Sequence, residues 1–190
     1  MSQVYDDSDM KIVGAPKAPE RESEYQGFLA ESSRQHFNGN IAKARTLGSN
    51  IVSSFSYKAA PAELVDFVME NGVVPTEDVL LQIRFLSVFS AELSINSCLP
   101  PLLAQIAKSE MYDVLMQFSP DFYDALARSG AFSFYYMALH KGVVTAENVG
   151  RQFAMLCGHE DDEAFITLGR KLHELNLSVY RKAIDGFVFV

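Results

Sequence analysis

His159-Glu160-Asp161-Asp162-Glu163 is the densest run of side chains that could bind a divalent cation or exchange protons. Its spacing matches neither a calcium loop nor the HExxH pattern of zinc enzymes. The same acids suit the first turn of a helix, where the positive end of the backbone dipole favours them. They are therefore read as the start of an amphipathic helix over 160–175, with Phe165, Ile166, Leu168, Leu172 and Leu175 turned inward. His36, His140, His159 and His173 are scattered along the chain. No serine or cysteine has a setting that would make it a nucleophile. The sequence has no glycine-rich phosphate loop and no dinucleotide fingerprint. The expectation is a chain with no catalytic residue, no cofactor and no metal, and thus not an enzyme.

Other residues suit recognition better than chemistry. Phe132-Ser133-Phe134-Tyr135-Tyr136-Met137 is rich in the aromatics that anchor interfaces. A helix here needs an inward face, for which Phe134 and Met137 are expected. Tyr135 and Tyr136 are then the partner-contact candidates. Gly186-Phe187-Val188-Phe189-Val190 is apolar and strand-like in composition. Exposed, it would add as a strand to a partner or dock its end in a backbone nest, making Phe187, Phe189 and Val190 contact residues. Folded back, it would cap the last helices, and this is the favoured reading. Arg170, Lys171, Arg181 and Lys182 form the most basic stretch. They are read as a solvated face on two helices, with a nucleic-acid patch the less favoured reading.

Charge narrows the partner. Lys and Arg number 16 against 24 Asp and Glu, a net charge of −8. Nucleic-acid binders carry a basic footprint, so the expected partner is another protein. Cys98 and Cys157 lie in apolar segments without metal-type spacing, and they are expected to be buried, reduced thiols. No segment is long and apolar enough to read as a membrane span, and no secretory leader is recognisable. A cytoplasmic location is expected, with delivery as a secreted effector the less favoured route.

The elements that must position these residues are helical. Residues 1–22, with Asp6, Asp7, Asp9, Glu20, Glu22, Pro16 and Pro19, predict a mobile acidic tail. A single helical domain is expected over 23–186, with 187–190 as an apolar tail. Ser23-x-x-Gln26 fits a capping box for a helix ending at Asn38-Gly39. A second helix is expected at about 40–57. Pro61 suits a first helical turn, as does Pro120 after a capping Ser119. Thr76 and Thr145 are expected N-caps. Separate helices are expected over 100–109 and 111–118. Gly72, Gly130 and Gly142 are expected helix stops.

One pattern recurs. Asp78-Val79-x-x-Gln82-Ile83, Asp113-Val114-x-x-Gln117-Phe118 and Asn148-Val149-x-x-Gln152-Phe153 begin 35 residues apart. Such a period suggests stacked helix pairs, with the acids at helix starts and the Val and Ile/Phe positions in the core. Phe67-x-Met69-x-x-Gly72-x-x-Pro75 resembles the join between pentatricopeptide repeats, and Ser178-Val179-Tyr180 to Ile184-Asp185-Gly186 resembles the opening of a unit. Tetratricopeptide-like repeats have similar helix pairs. The resemblance implies single-stranded RNA binding in the first family and protein binding in the second.

The chain is thus expected to be all-α, with about eight or nine helices as irregular stacked pairs, either α-solenoid-like or an orthogonal bundle. The expected function is a non-catalytic protein-binding module: an adaptor, chaperone-like or effector protein. RNA binding through degenerate repeats and an enzyme site assembled across helices are the alternatives.

Overall fold

A computed structural model describes residues 18–55, 60–140 and 145–190, excluding the side chains of 18–22, 140 and 145. The protein is all-α, with nine helices and no strand among the described residues. They are α1 (Ala18–Phe37), α2 (Asn40–Val52), α3 (Ala62–Glu70), α4 (Glu77–Cys98), α5 (Pro101–Phe118), α6 (Pro120–Ser129), α7 (Ala131–His140), α8 (Thr145–Leu156) and α9 (Glu163–Asp185). The chain divides into two units, Met1–Gly39 and Asn40–Val190.

The first unit contributes α1. This helix already runs through Ser23, so the expected capping box is interior to it. Residues 1–17 of the expected tail lie outside the described residues. Within α1, Glu31 pairs with Arg34 at 2.6 Å and accepts from Gln35 Nε2 at 2.7 Å. Gly39, at φ 72°, ends the helix with a bond from its amide to the His36 carbonyl.

In the second unit α2 lies on α5 and α4 on α9, pairs distant in sequence, while α8 packs on its neighbour α9. A linear stack joins helices that are neighbours in sequence. The α2–α5 and α4–α9 pairs depart from such a stack. Two of these pairs, α2–α5 and α8–α9, meet at a glycine. A Cβ on Gly48 of α2 would sit 2.3 Å from the Ala107 carbonyl oxygen of α5, and one on Gly150 of α8 would sit 2.4 Å from that of Ile166 in α9. Only a residue without a side chain lets the backbones approach this closely.

Phe89 of α4 is fully buried at the centre of an aromatic cluster. Tyr135 stacks on it at 5.0 Å, while Phe132 and Tyr136 meet it edge-on at 5.7 and 5.3 Å. Ring edges against ring faces are the favoured geometry for such pairs.

Local signals explain most boundaries. Thr76 caps α4, accepting from the Val79 amide at 3.3 Å. Gly72 and Gly130 take φ 79° and 65° and stop α3 and α6. Pro61 lies one residue before α3, and Pro120 opens α6, but the Ser119 hydroxyl makes no capping bond. Gly142 lies outside the described residues, as does the Thr145 side chain at the start of α8. The second helix ends at Val52 rather than near 57.

The expected break near residue 110 is absent, and α5 is continuous. Copy two of the 35-residue pattern therefore lies in the last turns of a helix, whereas copies one and three lie near the starts of α4 and α8. Val79, Ile83, Val149 and Phe153 are buried, but Phe118 is 72% exposed and Val114 only half-buried. In the middle copy the core positions are Met111 and Leu115 instead.

Candidate functional site

The apolar residues that close α4 against its neighbours also carry a polar network. Glu92 faces α5 and α7 from the half-buried side of α4. Its carboxylate accepts from the Tyr112 hydroxyl of α5 and, at 2.8 Å, from the Tyr136 hydroxyl of α7. Lys108 completes the group at 3.9 Å. Three helices are thus tied to one carboxylate. Burial, reinforced by the Glu92 charge, holds both phenols protonated well above their ordinary pKa. They act as donors, not as general bases.

Beside this network lies a surface cavity of about 300 Å³, lined by Tyr112, Tyr123, Leu126, Ala127, Gly130, Phe132 and Ser133. Tyr112 and Tyr123 set two of its walls nearly at right angles, with an interplanar angle of 73° and centroids 6.4 Å apart. Phe132 is fixed by its edge contact with Phe89. Gly130, left-handed at φ 65°, joins α6 to α7 and lines the cavity. The sequence flagged Phe132 and Gly130, but Tyr112 and Tyr123 carried no signal. They come from separate helices and are joined only by the fold.

The aromatic run of α7 faces opposite to expectation. Ala131, Tyr135 and Ala138 are fully buried, while Met137 is 48% exposed and Phe134 half-buried. The small residues at 131 and 138 leave room for the Tyr135 ring between them, and they mark the inward face at i, i+4 and i+7. Tyr135 is a core residue and offers no partner contact; its hydroxyl has no bonding partner among the described residues. Tyr136 is half-buried and is occupied by Glu92.

The last residues fold back. Phe187 and Phe189 pack on the core, while Val188 and Val190 are 70% and 67% exposed. The Asn40 side chain holds Val190 at both ends, accepting from its amide at 3.1 Å and donating to its carbonyl. Lys43 Nζ donates to the Val188 carbonyl at 2.6 Å.

The polar clusters resolve differently. Asp162 caps α9, accepting from the Ala164 amide at 2.8 Å, and His159 stacks on Phe165 at 4.0 Å. Helix α9 begins at Glu163, so Glu160 and Asp161 precede it. Leu175, expected inward, is 50% exposed. No group of three His, Cys, Asp or Glu positioned for a metal occurs among the described residues. Arg170 lies 4.0 Å from Glu147 and 3.9 Å from Glu174, and Lys171 donates to Asn71. Arg181 and Lys182 are exposed on the same helix. Cys98 is exposed, contrary to expectation, because it sits in the last turn of α4. Cys157 is half-buried, and its thiol is pushed up to about 12 by burial and then by Asp78. A thiol so held is a poor nucleophile.

No protein-family model matches the chain, and neither a curated protein nor a solved structure matches it at a significant level. No helix among the described residues is long and apolar enough to cross a membrane.

Proposed function

We propose that the protein is a non-catalytic protein-binding module that receives a side chain of its partner in the cavity between α5, α6 and α7. The observation that carries this reading is the cavity itself. Its 300 Å³ suits one large side chain rather than an extended cofactor. Its walls are mainly aromatic and aliphatic, and the Tyr123 and Ser133 side chains bring hydroxyls that can orient an occupant. Aromatic residues already fixed by neighbours lose little freedom on binding, the property of interface anchors. The titratable groups nearby, Tyr112 and Tyr136, are held as donors, which suits recognition better than proton transfer.

Ala127 is exposed and lines the cavity, so Ala127→Gln adds bulk there without disturbing the core. Affinity capture should return a protein partner with the native chain and lose it with Ala127→Gln at unchanged melting temperature. Equal capture by both chains, or capture of salt-sensitive nucleic acid alone, would remove the basis for this reading.

A further inference from the structure

The chemistry of the cavity specifies its occupant more closely. We infer that it is an aromatic recess for an alkylammonium group, a lysine side chain of the partner, most favourably a methylated one; this rests on the cavity being the partner-binding site.

Three observations point the same way. First, the walls are ring faces and edges. Tyr112 and Tyr123 stand nearly perpendicular, and Phe132 lines the same space. The faces of aromatic rings carry negative charge density and attract cations within about 6 Å. Tyr112 is enriched in that charge, because its hydroxyl donates to the Glu92 carboxylate and draws electron density towards the ring.

Second, the charge balance of the three helices favours a cation. Helices α5, α6 and α7 carry Asp113, Asp121 and Asp124 against Lys108 and Arg128, while Glu110 is turned to α2, where it accepts from Ser49 at 3.1 Å. Lys108 lies towards Glu92, and Arg128 Nε donates to the Asp124 carbonyl at 3.2 Å. Asp121 and Asp124 are exposed on α6 and add to the negative field of these helices, although neither lines the cavity.

Third, two of the amides an anion would use are already taken. At the start of α7, the Ala131 amide donates to Ser129 Oγ at 3.1 Å and the Ser133 amide to the Gly130 carbonyl at 3.0 Å. A helix N-terminus normally offers such amides to anions. Here two of them are satisfied internally, which leaves rings, hydroxyls and acids to choose the ligand.

The test compares two small probes on the full chain. One is Nα-acetyl-Nε-trimethyllysine methylamide. The other is its neutral analogue, with carbon in place of the ammonium nitrogen. Binding is followed by amide chemical shifts of Ala127, Gly130 and Ser133. The cation should bind roughly tenfold more tightly than its isostere, the worth of one desolvated cation–π contact. Tyr123→Leu keeps apolar bulk but removes a ring, and it should erase that preference. Added salt should weaken the cation more than the isostere.

Equal affinity for both probes would overturn the ammonium assignment while leaving the cavity as an apolar partner site. No shift with either probe would also overturn it, and the Ala127→Gln capture would then decide separately whether the cavity binds protein. Preference for phosphatidylcholine vesicles over the peptide probe would assign the ammonium to lipid and overturn the lysine source.

Discussion

Ser90 Oγ of α4 lies 2.9 Å from His173 Nδ1 of α9, and both residues are buried. The Ser90 hydroxyl gives its proton to the Leu86 carbonyl at 2.8 Å, so its oxygen accepts from the ring. His173 therefore carries its proton on Nδ1 and is neutral. Burial, and then the positive charge of Arg181, brings its pKa down from 6.5 to about 4. The unfolded chain thus takes up a proton near pH 6.5 and the folded chain only near 4. Between those values the unfolded state binds more protons, so stability falls as the pH falls. At about 1.4 kcal/mol per pK unit the loss is about 3 kcal/mol, complete below pH 4. Urea denaturation at pH 7.5, 5.5 and 4 measures it. His173→Phe should flatten this part of the profile, since Ser90 keeps its bond to Leu86. An unchanged slope in that variant would place the titrating group elsewhere.

Gly48 and Gly150 lie where α2 meets α5 and where α8 meets α9, with the neighbouring backbone in the space a Cβ would take. Alanine at either position forces its Cβ against a backbone carbonyl, which cannot move aside like a flexible side chain. Overpacking of this kind costs about 1–3 kcal/mol. Gly27 in α1 meets nothing within 4 Å, so Gly27→Ala should instead favour its helix, by about 0.5–1 kcal/mol. Gly48→Ala and Gly150→Ala should each lower the melting temperature, whereas Gly27→Ala should leave it equal or higher. A tolerated Gly48→Ala would mean that α2 and α5 can separate freely.

These glycines show what was legible in the sequence. Helix existence and many boundaries could be read, because Thr76, Gly72, Pro120 and Gly130 act through local backbone chemistry. Which helices touch could not be read. The glycines inside α2 and α8 were a usable sign of close crossing, since such a residue is costly unless packing requires it. The inward face of α7 follows the Ala131–Tyr135–Ala138 spacing, not the ring and chain size that pointed to Phe134 and Met137. The cavity was illegible for a deeper reason. Tyr112, Tyr123 and Phe132 lie on three helices, and no periodicity within one helix encodes their meeting. The 35-residue pattern marks similar buried turns in α4 and α8, but within α5 it falls on a partly exposed end.

The apolar tail contributes stability through alternation. Phe187 and Phe189 face the core and Val188 and Val190 face out, as in a strand, yet Asn40 and Lys43 side chains take the backbone groups. Removing 187–190 exposes the surface beneath two half-buried rings, worth about 2 kcal/mol. For a chain of this size that lowers the melting temperature by about 5 °C. Asn40→Ala should cost about 1–2 kcal/mol through its lost pair of bonds. Unchanged melting after the deletion would show that the tail does not stabilise the fold.

Glu92 is the joint of the proposed site, so its loss should affect stability and recognition together. Glu92→Ala leaves the Tyr112 and Tyr136 hydroxyls without their acceptor in a half-buried setting, at a cost of about 2–3 kcal/mol. Tyr112→Phe with Tyr136→Phe removes the donors but leaves the carboxylate with Lys108, and should cost less. Combining all three changes should cost less than the sum, because the broken bonds are shared. Denaturant midpoints for the set give the coupling directly. The same series separates the two roles of Tyr112. If the bond to Glu92 orients the ring for a ligand, Glu92→Ala weakens binding of the trimethylammonium probe while Tyr123 and Phe132 remain in place. If the network only holds three helices together, binding at temperatures well below melting stays unchanged and only the midpoint moves.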